Sequence, residues 1–464
     1  MRGLAFGALV LATMVARLVL LETGPEIDPD AYAHAMAGRR VLEGTHGVEL
    51  HWVWLPLWHW LHALALRFGS GIDTMRALNV GMSAIAPVLL VSVLRRPGVP
   101  GALPWLAGAV LALSPTLLVH GATSQLEPPV LTLTLAACLA WERKHWLIGI
   151  LGGLALAAAA LIRYEAWAVV LALSLLWVRE RSRERAPIWL VPLVAIGAWC
   201  LHHRLATGQW FQFLAYNADF AHGYLEGVGY PWGSQPNAPL ALLWYVVAVP
   251  WIEHAVLAPL SLLGAVWFVR SAPRSLMVAQ ISMLAFLAIG FAAGQHLGLA
   301  RHGLVIGPLY ATCMAAGVVR AQELVRRRVL IALSLAALFF VRSVPRYLDG
   351  LERHRTAYRE ELTAAHALRR IVGERDAVFC DRAPVEVLSS LPPARFTRWP
   401  LRDVDAFQLR RAAGDCGRAI IVSDAENTAH LRALTEPVYK NGSLLVLAYP
   451  PATTAKRCAQ ATRP

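Results

Sequence analysis

Apolar runs, several near 20 residues and so long enough to cross a bilayer as helices, recur through the first three quarters of this sequence. They fall at about 3–21, 77–94, 102–119, 125–141, 146–163, 166–178, 187–205, 254–269, 276–293, 303–319 and 329–343, which predicts eleven spans. The links between them alternate in character. Arg95-Arg96, Arg143-Lys144, Arg179/Arg181/Arg183/Arg185, Arg270/Arg274 and Arg320/Arg326/Arg327/Arg328 all fall on one face, which the positive-inside pattern marks as cytoplasmic. The amino end, Met1-Arg2 and an apolar run to Leu21, resembles a signal sequence without a small-x-small cleavage site and is read as an uncleaved first span.

The opposite face receives the longer loops, 22–76, 120–124, 206–253 and 294–302, and everything after 344. Long loops commonly carry function. In the first, His51-Trp52-Val53-Trp54-Leu55-Pro56-Leu57-Trp58-His59-Trp60 reads as helix lying along the outer membrane surface, where indoles suit the headgroup layer. The 206–253 loop is also aromatic, and Gly229, Pro231, Gly233 and Pro236 are expected to break any long regular element there. After about 344 the pattern becomes that of a soluble domain. A polar helix from Glu352 to Arg370 precedes short buried strands at 377–380, 419–422 and 444–447, a small α/β layer. The expected organisation is a transmembrane catalytic unit over 1–343, an extracytoplasmic α/β domain over 344–450 and a disordered tail over 451–464.

Composition narrows the function. Of 464 residues 57% are apolar and 16% charged, with a mean hydropathy of +0.48, against about 25% charged in soluble chains. A wholly soluble enzyme is excluded. The net charge of +13 does not point to nucleic acid, because most arginines before residue 330 sit in clusters between apolar runs. Cys138, Cys200 and Cys313 fall inside apolar runs, and no Cys/His spacing suggests zinc. A Cys380–Cys416 bridge is compatible with an oxidising outer compartment.

The candidate chemistry lies on the outer face. Ile27-Asp28-Pro29-Asp30-Ala31-Tyr32 opens the first outer loop, and an amphipathic helix runs on to Leu42-Glu43-Gly44. Two carboxylates bracketing one residue suit a general base for an acceptor hydroxyl and a partner that orients it or holds a divalent cation. The structural alternative is that one of them caps the helix, since Asp is a favoured N-cap and Pro29 suits a first turn. Both hold together, because only one Asp can be the cap; Asp28, nearer the membrane surface, is favoured as base.

Thr123-Ser124-Gln125-Leu126-Glu127-Pro128 puts a carboxylate at the outer edge of an apolar segment, a functional candidate or an interfacial Glu at a helix start. Leu161-Ile162-Arg163-Tyr164-Glu165 adds an arginine whose planar fork suits phosphate or carboxylate, or a helix-bridging partner for Glu127 or Glu165. Gln295-His296 and Arg301-His302, before Pro308, supply a second cation at the same depth, with snorkelling to the headgroups as the alternative. Acids at 28, 30 and 127 and cations at 163 and 301 thus map to one membrane face from separate segments. That combination fits an anionic lipid head and a nucleophile that needs deprotonating.

At these residues the chain resembles a GT-C glycosyltransferase, an integral membrane enzyme that takes a sugar from a polyprenyl-phosphate carrier. The matching motifs are Asp28-Pro29-Asp30-Ala31-Tyr32 with Arg39-Arg40-Val41-Leu42-Glu43-Gly44, Trp54-Leu55-Pro56-Leu57, Ser124-Gln125-Leu126-Glu127-Pro128, Leu161-Ile162-Arg163-Tyr164-Glu165, and Arg301-His302 with Pro308. They cover roughly the first 310 residues, and the outer α/β domain resembles that of the aminoarabinose-transferase and protein mannosyltransferase-like branch.

The resemblance implies an inverting transfer from a polyprenyl-phosphate-linked sugar to a lipid, glycan or protein acceptor. It implies Asp28 or Asp30 as base, and Arg163 and Arg301 on the carrier phosphate. Glu127 would be a site carboxylate near the sugar or a cation, and Tyr32, Glu165 and His302 would line the substrate. A metal, if one is used, falls to Asp30 and Glu127, and no other cofactor is implied. The expected location is the bacterial inner or plasma membrane, among lipids, with the site facing outward. The sequence departs from oligosaccharyltransferases in lacking Trp-Trp-Asp-Tyr-Gly in the outer domain. Two rivals are a lipid-linked-sugar flippase, whose expected repeats and midplane-broken spans are not seen, and a non-catalytic envelope assembly protein, against which the paired Asp argues.

Overall fold

A computed structural model describes residues 2–44, 51–231 except 52 and 70, 237–325 except 256, 337, 341 and 343–373. In the carboxy-terminal part it describes 376–380, 383–389, 391, 396–397, 409, 418–424, 431, 435–441 and 444–449. Helix α1 (Arg2–Thr23) leads to two helices of the first long loop, α2 (Pro29–Glu43) and α3 (Pro56–Leu66). Then come α4 (Gly71–Leu94), α5 (Leu103–Ala112), α6 (Pro115–His120), α7 (Glu127–Glu142), α8 (Trp146–Ala160), α9 (Glu165–Glu180) and α10 (Ala186–Thr207). The second long loop holds α11 (Gln212–Val228), α12 (Ala238–Leu243), a π-helical turn at Trp244–Ala248 and α13 (Val249–His254). Helices α14 (Ala258–Ser271), α15 (Arg274–Ala292) and α16 (Gly307–Val325), the last after a 3-10 segment at Ala300–Ile306, complete the apolar part.

Among the described residues, five helical stretches are long and apolar enough to cross a membrane: Gly3–Thr23, Gly71–Leu94, Arg183–Thr207, Arg274–Ala292 and Ala300–Glu323. The expected count of eleven spans is not confirmed; Leu103–Ala112, Trp146–Ala160 and Ala258–Ser271 are shorter apolar helices. Helices α7, α8 and α9 have 16, 15 and 16 residues, or roughly 24 Å, against a hydrocarbon core of about 30 Å. The run at 102–119 is broken, because Pro115 starts a new helix whose N-cap Ser114 accepts from the Leu117 N–H. The run at 329–343 lies largely outside the described residues.

Leu151, Leu154, Leu171, Leu175 and Val194 are exposed, as on helices solvated by lipid. Without a hydrophobic drive between such helices, close approach supplies the contact energy. A Cβ on Gly152 would lie 2.4 Å from the Ala140 Cβ, and one on Gly153 2.3 Å from the Pro187 carbonyl, so both keep α8 tight against its neighbours. At the arginine-rich end, Arg96 donates to the Ser271 carbonyl at 2.6 Å, Arg185 to that of Trp141 at 2.9 Å, and Arg274 lies 3.5 Å from Glu180. Four of the predicted basic links therefore meet at one end, while Glu165 stands at the other end of α9; Arg326, Arg327 and Arg328 of the fifth lie outside the described residues.

Helix α2 runs where the pattern put it and ends at Gly44, whose φ of 66° suits a residue without Cβ. In the 206–253 loop, α11 is a helix of 17 residues that ends at Val228, immediately before Gly229, the first of the predicted breakers. The polar helix expected over 352–370 is two, Val344–Thr356 and Arg359–Ile371. Tyr358 breaks it, taking a left-handed φ of 53° and packing its ring edge-on to Tyr32 at 5.0 Å. The sheet has five strands, β1 (Ala377–Cys380), β2 (Phe396–Thr397), β3 (Ala419–Asp424), β4 (Glu436–Asn441) and β5 (Leu444–Tyr449), in the order β2-β1-β3-β5-β4. β2, β1 and β3 are parallel and β5 is antiparallel to both neighbours. Arg39 of α2 donates to the Glu386 carbonyl at 2.9 Å and to that of Leu391, fastening the Ala383–Ser389 helix to the first long loop. Cys416 is outside the described residues, and with it the pairing with Cys380.

Candidate active site

Asp28 is the N-cap of α2: its Oδ1 accepts the Asp30 N–H at 2.9 Å, with Pro29 in the first turn. Asp30 stands in that first turn with 41% of its side chain exposed, against 7% for Asp28. The loop before them is fixed by Glu26, which accepts from Ile27 N at 2.8 Å, Asp28 N at 3.1 Å and Ser124 N at 2.6 Å. Arg76 of α4 lies 4.0 Å from the same carboxylate. Glu26 thereby ties the aspartate loop to the Ser124-to-Glu127 motif.

Arg301, from the 3-10 segment, donates through Nη1 to Asp28 and through Nη2 to Asp30, 271 positions away. Its Nε lies 3.9 Å from Glu127. Arg163, in the turn between α8 and α9, donates through Nη1 to Glu127 at 2.6 Å and through Nη2 to Glu165 at 2.5 Å. Its Nε bonds the two Glu165 oxygens at 3.0 and 3.1 Å. Both helix-bridging pairs that the sequence allowed are formed. His302 Nε2 is 3.7 Å from Glu127 and His296 Nε2 3.6 Å from Glu165, and the two imidazoles meet edge to face at 4.5 Å. Four carboxylates thus surround two guanidiniums.

Burial pushes the Asp28 carboxyl up to about 6, against the opposing pull of Arg301 and with Asp30 adding to the rise. Burial likewise lifts Glu26 to about 7, with Arg76 opposing. His34 and His59, both buried, are held well below the ordinary imidazole range by desolvation first and by neighbouring imidazoles second, with Arg301 and Arg163 adding to the fall at His34.

A cavity of about 690 Å³ opens over this cluster. Asp30, His34, Arg163, Glu165, Arg301 and His302 form its polar wall, and Leu55, Leu126, Ile162, Leu214, Phe286 and Ile289 its apolar one. Glu127 lies behind that wall, nearly fully buried. Tyr32 is elsewhere: its hydroxyl donates to the Glu26 carbonyl at 3.2 Å, and it lines a second cavity of about 910 Å³ with Arg39, Arg76 and Arg369. The larger cavity holds acids and arginines too, among them Glu26, Asp73 and Arg76; the smaller is taken as the candidate site because Asp30, Arg163, Glu165 and Arg301 of the motifs line it. Among the described residues no group of three or more His, Cys, Asp or Glu is placed to hold a metal ion; Asp30 and Glu127 meet through the Arg301 guanidinium instead.

Sequence reasoning missed His34, one helical turn after Asp30 and therefore on the same face. Its Nδ1 is 2.9 Å from His59 Nε2, whose Nδ1 is 2.7 Å from His51 Nδ1, and its ring lies 4.4 Å from Trp54. The i to i+4 spacing from Asp30 was the available signal. Glu26 was missed as well, and no spacing marks it, since its partners at 76 and 124 are distant in sequence.

No family profile and no curated protein matches the chain. Solved structures do match in fold. ArnT from Cupriavidus metallidurans bound to undecaprenyl phosphate aligns with a TM-score of 0.68 at 13% identity, over 95% of this chain and 97% of that one. The apo state of the same protein gives 0.63 at 14% identity, over 97% and 98%. The oligosaccharyltransferase of Archaeoglobus fulgidus in its apo form gives 0.56 at 12% identity, over 91% of this chain and 70% of that one. Nearly the whole chain thus shares its fold with these solved structures.

Proposed function

We propose that this protein is a membrane glycosyltransferase that moves a sugar from a polyprenyl-phosphate carrier to an acceptor hydroxyl, with inversion, on the extracytoplasmic face of a bacterial inner membrane. One observation carries the reading. Asp30 and Arg301, from opposite ends of the apolar part, meet in the lining of a cavity with one ionisable and one apolar wall, with Asp28 on the same guanidinium, in a fold of which one solved example holds undecaprenyl phosphate. A lipid-borne phosphate needs both walls, and a hydroxyl nucleophile needs a carboxylate.

Asp30 is the general base in this reading, because Asp28 is engaged as the helix cap and only Asp30 lines the cavity. The acceptor oxygen attacks the anomeric carbon as the carbon–oxygen bond to the carrier phosphate breaks. The bonding pair leaves on the phosphate oxygen, and the hydroxyl proton passes to the Asp30 carboxylate. Arg301 meets the charge that develops on the phosphate. Arg163 holds Glu127 and Glu165 in place, and Glu165, His296 and His302 face the sugar.

The test is transfer by the purified chain in nanodiscs from polyprenyl-phosphate sugars, with the donor class chosen from the carrier-linked sugar that accumulates in a deletion strain. No accumulated carrier sugar and no transfer would sink the reading. The face is tested on a cysteine-free background with a thiol probe that cannot cross the membrane. The probe is expected to reach Leu42→Cys and not Ser182→Cys; labelling of Ser182→Cys alone would reverse the assignment.

A further inference from the structure

We propose that Arg301 is a latch: Asp28 and Asp30 hold it, and the carrier phosphate must take it from them, which frees the base only when the donor is seated. The inference rests on the reading above and adds an order of events to it.

The argument starts from occupancy. All three nitrogens of Arg163 donate to Glu127 or Glu165. Arg301 gives one Nη to each aspartate, and its remaining Nε is buried with no hydrogen bond beside Glu127. Four carboxylates thus face two guanidiniums whose terminal nitrogens all bond carboxylates, so an incoming phosphate competes with carboxylates for the guanidinium it binds.

Arg301 is the guanidinium that can exchange. One of its partners, Asp30, has 41% of its side chain exposed and gains water when released, whereas the carboxylates on Arg163 are 1% and 3% exposed and would be stranded. A phosphate offers the same two-oxygen fork that the aspartate pair presents, so the exchange keeps both charge-assisted hydrogen bonds. It also changes the aspartates. A carboxylate paired with a guanidinium is a poor proton acceptor, and loss of that neighbour raises its proton affinity. Seating the donor thus switches on the base beside it.

The latch makes an unusual prediction, that removing a charged site residue strengthens ligand binding. Undecaprenyl phosphate is titrated into the full chain in nanodiscs and followed by microscale thermophoresis. Asp28→Asn and Asp30→Asn should each bind about tenfold tighter than the parent, the change that one competing charge-assisted hydrogen bond commonly supplies. Asn caps helices as well as Asp, so Asp28→Asn keeps the cap while removing the charge. Arg301→Lys should weaken binding and Arg301→Ala weaken it further. If Arg301→Ala binds like the parent, the phosphate reading itself fails. If Arg301→Ala is weaker but neither Asn variant gains affinity, the latch alone is overturned. Should Asp28→Asn unfold, Asp30→Asn, at an exposed side chain, decides the matter by the same criterion. An equal gain for phosphatidic acid in place of the carrier would overturn the assignment to the carrier.

Discussion

Arg163 and Arg301 border one cavity, yet their surroundings differ in kind. Arg163 sits in a four-residue link between apolar helices, and its carboxylate partners are almost wholly buried. Arg301 lies at the start of a 3-10 segment and bonds aspartates of the first long loop, one of them half in water. The same side chain in the same cavity is therefore a structural pillar in one place and an exchangeable ligand in the other. The difference lies in what the partners do when the arginine leaves. Buried carboxylates have no water to turn to, so their loss of a partner is a stability cost; Asp30 is already solvated.

The largest expected effect follows from the pillar. Arg163→Ala should lower stability by about 3 to 5 kcal/mol, read as thermal unfolding in detergent, because Glu127 and Glu165 are left charged and buried. Combining it with Glu165→Ala should restore part of that loss. A folded Arg163→Ala protein that merely binds carrier less well would move Arg163 to the exchangeable side of the comparison.

The next effect separates the aspartates. Asp30→Asn should reduce turnover about 10² or more with little change in unfolding temperature, while Asp28→Asn, which keeps the cap, should lose about tenfold or less. Equal losses at both positions would remove the distinction between base and cap.

A smaller effect is a pH dependence with a defined sign. The Asp28 carboxyl is pushed up to about 6 by burial, so as pH falls through 6 it gains a proton, loses its charge and loosens its hold on Arg301. Carrier affinity of the parent should therefore rise relative to that of Asp28→Asn as pH is lowered from 7.5 to 5.5, and the two should converge. Asp30, Glu127 and Arg301 face Asp28 and are common to both proteins, and the ratio cancels titration of the phosphate. A ratio independent of pH would break the link between Asp28 and the latch. Smallest of all, Arg301→Ala should cost only about 1 kcal/mol of stability, since Asp28 can take up a proton and Asp30 is solvated. A loss as large as that of Arg163→Ala would erase the contrast between the two arginines.

The one-dimensional pattern was enough for everything that depends on local sequence. Apolar runs and arginine-rich links determined the helices and the end at which the links gather, because burial in lipid and the positive-inside bias act segment by segment. Asp28-Pro29-Asp30 and Gly44 determined where α2 starts and stops, through capping chemistry confined to one turn. The count of long spans was not legible, because Pro115 and the short α7, α8 and α9 change helix length without changing hydropathy.

Only the tertiary structure decided which charges meet. That Arg301 bonds Asp28 and Asp30, that Arg163 donates to Glu127 and Glu165, and that Tyr32 turns to a different cavity depend on how four distant segments pack. So does the break at Tyr358, whose left-handed backbone is tolerated beside its contact with Tyr32. Hydropathy reports whether a residue is buried. An ion pair is a relation between two residues, and its partners are chosen by geometry that no single segment contains.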